Sequence, residues 1–166
     1  DGVIAQMREN GATFEDALAA NIVLSSFIPM LMDTGGNSGS QSSTAIIRSL
    51  SLGDTSTSDA LRVIWKELRV AFLCGVSLAA ANFVKMLLVD RLLLGNTAVT
   101  MSVAATVCCT IVFVVMFAKA VGSLLPMIAE KIGVDPAVMA SPLISTITDA
   151  VSLLIYFSIA KVFLHI

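Results

Sequence analysis

The chain has 166 residues, of which 57% are hydrophobic and 13% charged, with a formal charge of −2 and a mean hydropathy of +0.92. A soluble domain is about 45–50% apolar and about 25% charged, and a chain this short cannot enclose so much apolar surface. A soluble enzyme, a disordered chain and a nucleic-acid binder are therefore excluded, and so small a charge calls for no polyanionic partner.

In chain order, Asp1 opens the sequence with no signal-peptide pattern before the first apolar run, so the chain reads as part of something longer. Residues 1–16 are expected to form an extracellular-side segment. The run Ala17–Met32 is followed by the polar stretch Asp33–Thr44 and then by apolar Ala45–Ile47. Such a stretch is a Gly/Ser loop on composition alone. At about 100° per residue, however, Ser26, Asp33, Asn37, Gln41, Thr44 and Arg48 fall within an arc of about 80°, with Met30 among them. A loop has no reason to keep one stripe. The expectation is a helix over about residues 17–48 that lines something wet, with Gly35, Gly36, Ser38, Gly39 and Ser40 allowing close helix approach.

The connection 49–69 is flanked by and contains Arg48, Arg62, Lys66 and Arg69, which predicts a cytoplasmic loop. Within it, Asp54–Asp59 reads as a turn and helix start before Ala60–Leu68. Three long apolar spans follow. Val70–Val89 holds one charge, Lys85; Ala98–Ala118 holds none; Ala137–Ala160 holds Asp149. Each is near the ~20 residues that cross ~30 Å of hydrocarbon as a helix. The predicted fold is an all-α integral membrane protein, a polytopic helix bundle with spans at about 17–48, 70–90, 98–128 and 137–164, multi-pass in the cell membrane. The loop Arg91–Thr97 and the C-terminus fall outside, and Glu130–Pro136, with Lys131, returns to the cytoplasm. Lys85, Lys119 and Lys161 are expected to snorkel toward headgroups. Cys74, Cys108 and Cys109 sit in apolar runs without metal-site spacing and read as small core or lipid-facing residues.

Asp149 is the most informative residue. A carboxylate mid-span costs ~2.5–3.5 kcal/mol on insertion scales unless it meets water, protein or a cation. An ion pair with Lys119 is the bland account. On a helical wheel, Ser141, Ser145, Thr148, Asp149, Ser152 and Tyr156 share about 100° of arc, leaving Thr146 and Ser158 as exceptions. Leu143, Ile147, Val151 and Leu154 take the opposite face. That profile favours a hydrated path over a buried pair. Two copies in a dimer would bring two carboxylates to one depth, a sparse oxygen ring suited to a hydrated divalent ion. Pro142 adds a freed carbonyl, tolerated at depth where it lines a cavity.

Four segments in order carry a resemblance: Phe27–Ser42 followed by Arg48; Gly122-Ser-Leu-Leu-Pro126; Asp135-Pro-Ala137; and Ser141–Asp149 with Ile155-Tyr-Phe157. Together they resemble the membrane domain of MgtE-type magnesium channels from about Ala17 to the C-terminus. The resemblance implies a five-helix, homodimeric domain of which four spans are present here. It implies a Mg²⁺ pore on the two-fold axis, with Mg²⁺ both transported ion and ligand. Asp149 then matches the central ion-binding aspartate, and the Ser145 backbone carbonyl and Asp135, at the cytoplasmic mouth, are the further expected metal-binding positions. Asn37, Gln41, Ser141, Thr148, Ser152 and Asp33 are the expected pore-lining set, with Asp33 nearer the outer mouth. Two departures stand out. The first family helix is missing or survives only as Asp1–Asn10, together with the cytosolic Mg²⁺-sensing domains, and Ser152 replaces a frequent glycine.

The expected function is a passive Mg²⁺ channel without covalent chemistry. No Gly-rich phosphate loop points to an ATPase, and the single histidine, His165, lies near the end. A cation/proton exchanger cycling a proton on Asp149 is the alternative, although no internal repeat of the kind exchangers often show is detectable. A non-transporting assembly subunit is a third, and it would not need the polar stripes.

Overall fold

The computed structural model describes residues 14–138 and 141–164. Most of the outer segment expected at 1–16, and His165, lie outside the described residues. Among the described residues four long helices form the architecture: α1 (Phe14–Ser51), α2 (Ala60–Lys85), α3 (Met101–Lys131) and α4 (Ser141–Leu164). No strand occurs among the described residues. By length and composition, three stretches among the described residues are apolar enough to cross a membrane: Thr57–Leu93, Met101–Lys131 and Pro142–Leu164. The remaining helix, α1, runs unbroken through Asp33–Thr44, so the polar stretch is helical and not a loop.

The ends of the helices follow from local chemistry. Gly53 and Gly133 take positive φ, +74° and +76°, a conformation that costs glycine nothing. In each case the next residue's N–H reaches five residues back, Asp54 to Ser49 and Val134 to Ala129, and these bonds satisfy carbonyls that the helix end would otherwise orphan. Thr100 starts α3 by accepting the Val103 N–H on its hydroxyl at 3.3 Å, a Thr N-cap. Ahead of α2, Asp59 accepts from the Ser56 N–H and hydroxyl at 3.1 and 2.8 Å. Only a short turn therefore separates α1 from helical residues, and α2 runs straight through position 70, where the apolar span alone begins. Beyond Lys85 the chain widens into a π-helical segment, Met86–Leu93. Residues five apart share a face in a π-helix, and Lys85 meets Asp90 there at 3.0 Å. The Lys85 ammonium also lies 5.6 Å from the centre of the Phe27 ring.

Two outcomes at α4 differ from the sequence reading. The helix starts at Ser141 and not near Ala137. Pro142 consequently occupies the first turn, where its missing N–H has no helical partner to lose, so it opens no gap inside the span.

Helix α3, free of charge from Met101 to Ala118, is the hub. It touches α1, α2 and α4, and α1 also touches α4. Val103, Val107, Thr110, Val115 and Ala118 are buried along it. In hydrocarbon, burying an apolar side chain against another gains little over lipid, so helices associate through close packing at small residues. Gly39 and Gly122 are the clearest instance: a Cβ on Gly122 would fall on the Gly39 backbone, and one on Gly39 would come within 3.1 Å of the Ala118 carbonyl oxygen. Gly75 brings α2 equally near the Val112 backbone, with a Cβ there at 3.1 Å. At the end where α1 stops and α2 starts, Ile46, Leu50, Val63 and Met127 close the bundle. The Tyr156 hydroxyl, fully buried, donates to the Leu24 carbonyl at 2.9 Å and ties α4 to α1.

Candidate functional site

Along α1, the predicted polar stripe is the exposed one: Ser26, Asp33, Asn37, Gln41, Thr44 and Arg48 all face outward. Gly35, Ser38, Gly39, Ser42 and Ser43 of the next face are buried. The small residues thus draw the helix in while the larger polar ones stay out. Ser26 and Thr44 hydroxyls are spent on their own helix, donating to the Val23 and Ser40 carbonyls.

Asp149, half-buried on α4, lines a cavity of ≈ 300 Å³ between α1 and α4 with Ser145, Met32, Asp33, Gly36, Asn37 and Ser40. The spacing accounts for it. Ser145 and Asp149 stand one turn apart on one face, and α1 presents two adjacent rows of the same spacing, Asp33–Asn37 and Gly36–Ser40. Gly36 sits across from Ser145; a Cβ there would lie 3.5 Å from its hydroxyl oxygen. Two carboxylates, an amide and two hydroxyls therefore share one small space. Among the described residues, no three His, Cys, Asp or Glu side chains gather as a metal cluster. The donor set is all oxygen apart from the Asn37 amide nitrogen. Such a set suits a hard cation that keeps its water.

The rest of the α4 arc lies elsewhere. Thr148 and Ser152 are buried, and the Gly35 backbone packs against both. They face the helix interface and do not line the Asp149 cavity, because the contact with α1 cuts the polar arc in two. The Thr148 hydroxyl donates at 2.8 Å to the Ile144 carbonyl and lies 3.0 Å from that of Ser145. The Ser152 hydroxyl has no hydrogen-bond partner among the described residues. Gln41 lines a different cavity, of ≈ 580 Å³, between α1 and α2, with Thr34, Ser38, Ser77, Cys74 and Lys119. Asp33 and Asn37 line both spaces. Asp135 is exposed in the α3–α4 connection, at the end where α1 stops, and its carboxylate accepts the Ala137 N–H at 2.9 Å. The expectation for the Ser141 side chain lies outside the described residues.

Lys119 requires a correction. It does not snorkel, and its partner is not Asp149. It is buried, 3.6 Å from Glu67 of α2, and donates to Ser42 of α1 at 3.1 Å. The reason is the early start of α2: helical geometry from Ala60 carries Glu67 alongside α3. Lys161, by contrast, is exposed. Of the cysteines, Cys74 is exposed, while Cys108 donates to the Ala79 carbonyl at 3.3 Å. Sequence reasoning also missed Gly36, Ser40 and Met32 as cavity residues. Gly36 and Ser40 neighbour Asp33 and Asn37 on the wheel; reading them as packing alone hid them.

Four long helices, three of them apolar enough to cross a bilayer, around an oxygen-lined interhelical cavity define a polytopic all-α membrane protein. Family comparison agrees. The MgtE family, described as divalent cation transporter, matches residues 28–159, and the chain belongs to that family. The chain is 38% identical over 152 residues to the magnesium transporter MgtE of Thermus thermophilus. It is 36% identical over 152 residues to that of Bacillus subtilis and 31% over 154 residues to that of Enterococcus faecalis. These matches cover 92% or 93% of this chain and 32% of each relative. The chain therefore spans about a third of the length of the curated relatives it matches.

Proposed function

We propose that this chain forms the pore of a passive Mg²⁺ channel in the cell membrane, with Asp149 as the ion-binding residue. The observation that carries the reading is the α1–α4 cavity that joins Asp149 to Asp33, Asn37, Ser40 and Ser145. Membership of a family described as divalent cation transporters supports the ion class, and the magnesium transporter relatives support Mg²⁺.

One protomer supplies two carboxylates to this cavity, few for a bare divalent ion. A second copy across a two-fold axis doubles the negative charge at the Asp149 depth. Mg²⁺ sheds water reluctantly and usually keeps several waters, so the ring holds the ion by charge while neutral oxygens hold its waters. Asn37 takes the water-binding role through its amide, since a neutral amide replaces a tightly held water poorly. The Ser145 carbonyl accepts from the Thr148 hydroxyl at 3.0 Å and serves the ion or its hydration shell. Asp33 draws cations toward the path, and Asp135 guards the cytoplasmic mouth, where Mg²⁺-sensing regions of a longer protein would act.

The test is Mg²⁺ uptake into proteoliposomes by wild type and Asp149→Asn. Removing both carboxylates of the ring should lower uptake at least about tenfold, the effect of ~1.4 kcal/mol at the binding step. Wild-type uptake by a folded Asp149→Asn protein would refute the assignment.

A further inference from the structure

The pair Glu67–Lys119 has no part in the ion path described above, yet it sits beside it. Lys119 Nζ lies 3.6 Å from Glu67 Oε2, and both side chains are largely enclosed, at 11% and 13% exposure. Ser42 links them: its hydroxyl donates to Glu67 Oε2 at 2.6 Å and accepts from Lys119 Nζ at 3.1 Å. Three helices meet in this cluster. Lys119 lines the ≈ 580 Å³ cavity that includes Asp33 and Asn37, and these two side chains are also walls of the Asp149 cavity. A fixed positive charge is therefore one cavity away from a carboxylate site.

Inside a partly buried space, charges act over longer range than in water, and a divalent ion feels each of them doubly. An ammonium left bare here would oppose cation entry. Paired with Glu67, it contributes close to no net field. Resting on the cation-path reading, we infer that Glu67 masks Lys119 electrostatically: it is a positioning residue for cation passage that acts through Lys119 and never touches the ion. A merely structural tie differs in one respect. Breaking a tie from either side loosens the helices alike, whereas unmasking depends on the sign of the charge left behind.

The experiment uses the full chain in proteoliposomes and reads the Mg²⁺ concentration for half-maximal flux, with size-exclusion profiles confirming folded protein. Glu67→Gln should raise that concentration at least about tenfold, because the bare ammonium then opposes a divalent ion through a partly buried space. Lys119→Met should leave it unchanged or lower it. Glu67→Gln combined with Lys119→Met, which leaves no charge, should return it to within about twofold of wild type, since uncharged replacements of buried pairs are commonly tolerated. Ser42→Ala removes the bridging hydroxyl but keeps both charges and should also stay within about twofold. Equal losses from the two single variants, no loss from Glu67→Gln, or a double variant as poor as Glu67→Gln would each overturn the inference. Should a single variant not fold, Ser42→Ala and the double variant still decide: a tenfold loss in either one refutes masking. Asp149→Asn in parallel reads the pore assignment separately, because an unchanged value there sinks that assignment and leaves the pair's effect on flux legible. Wild-type vesicles without Mg²⁺ flux would defeat both.

Discussion

A charged side chain at membrane depth persists only where water, protein or an ion answers its field, and Asp149 and Lys119 are answered differently. Asp149 is half-buried on a cavity whose walls are Asp33, Asn37, Ser40 and Ser145. Lys119 has a carboxylate and a hydroxyl. The distinction predicts chemistry at single positions. With the native cysteines replaced, Asn37→Cys and Ser145→Cys should both react with a water-soluble thiol reagent, since both line the same space; an unreactive Asn37→Cys beside a reactive Ser145→Cys would make the Gly-Gly-Asn segment packing. Tyr156→Phe should keep the fold but cost about 0.5–1.5 kcal/mol, the net worth of the hydrogen bond to the Leu24 carbonyl, which keeps its helical donor. Thermal unfolding in detergent measures it.

The helices owe their placement to where side chains are absent. A Cβ on Gly122 would strike the Gly39 backbone, which no rotamer change relieves. Gly122→Ala should therefore force α1 and α3 apart and destabilise by about 1–3 kcal/mol or more. Gly36→Ala offers the contrast: its Cβ would meet only the Ser145 side chain, at 3.5 Å. It should be neutral or stabilising by up to ~1 kcal/mol through helix propensity, while narrowing the Asp149 cavity. Melting temperatures rank the two, and a Gly122→Ala protein as stable as Gly36→Ala would contradict the crossing. The same logic explains α4, where the Gly35 contact takes Thr148 and Ser152 into the interface and leaves Asp149 at its edge.

At the scale of the molecule, α2 and α4 present large apolar side chains outward, among them Phe72, Leu73, Leu154, Phe157 and Val162. Water does not tolerate such surface in a monomer of this size; lipid does. Asp149 lines the cavity of one protomer, and the proposed two-fold axis would place its copy nearby. In a background with the native cysteines replaced, Asp149→Cys should then give a covalent dimer under mild oxidation in membranes, read on a non-reducing gel. Only monomer under those conditions would count against a shared ring.

The sequence by itself determined the membrane class, the four helices and the polar stripe of α1, because hydropathy and the 3.6-residue period are local properties that any apolar surroundings read alike. It also carried Asp149 as the residue to explain. Tertiary structure decided what local pattern cannot hold. Whether a polar residue on an arc meets a cavity or a neighbouring helix depends on which residues the neighbour lacks, so Gly35 and Gly36, adjacent in sequence, send Ser152 inward and leave Ser145 on the cavity. Lys119 found Glu67 across 52 positions of chain, a partner fixed by helix crossing and invisible to spacing. Local period sets which faces a helix has; packing sets what each face meets.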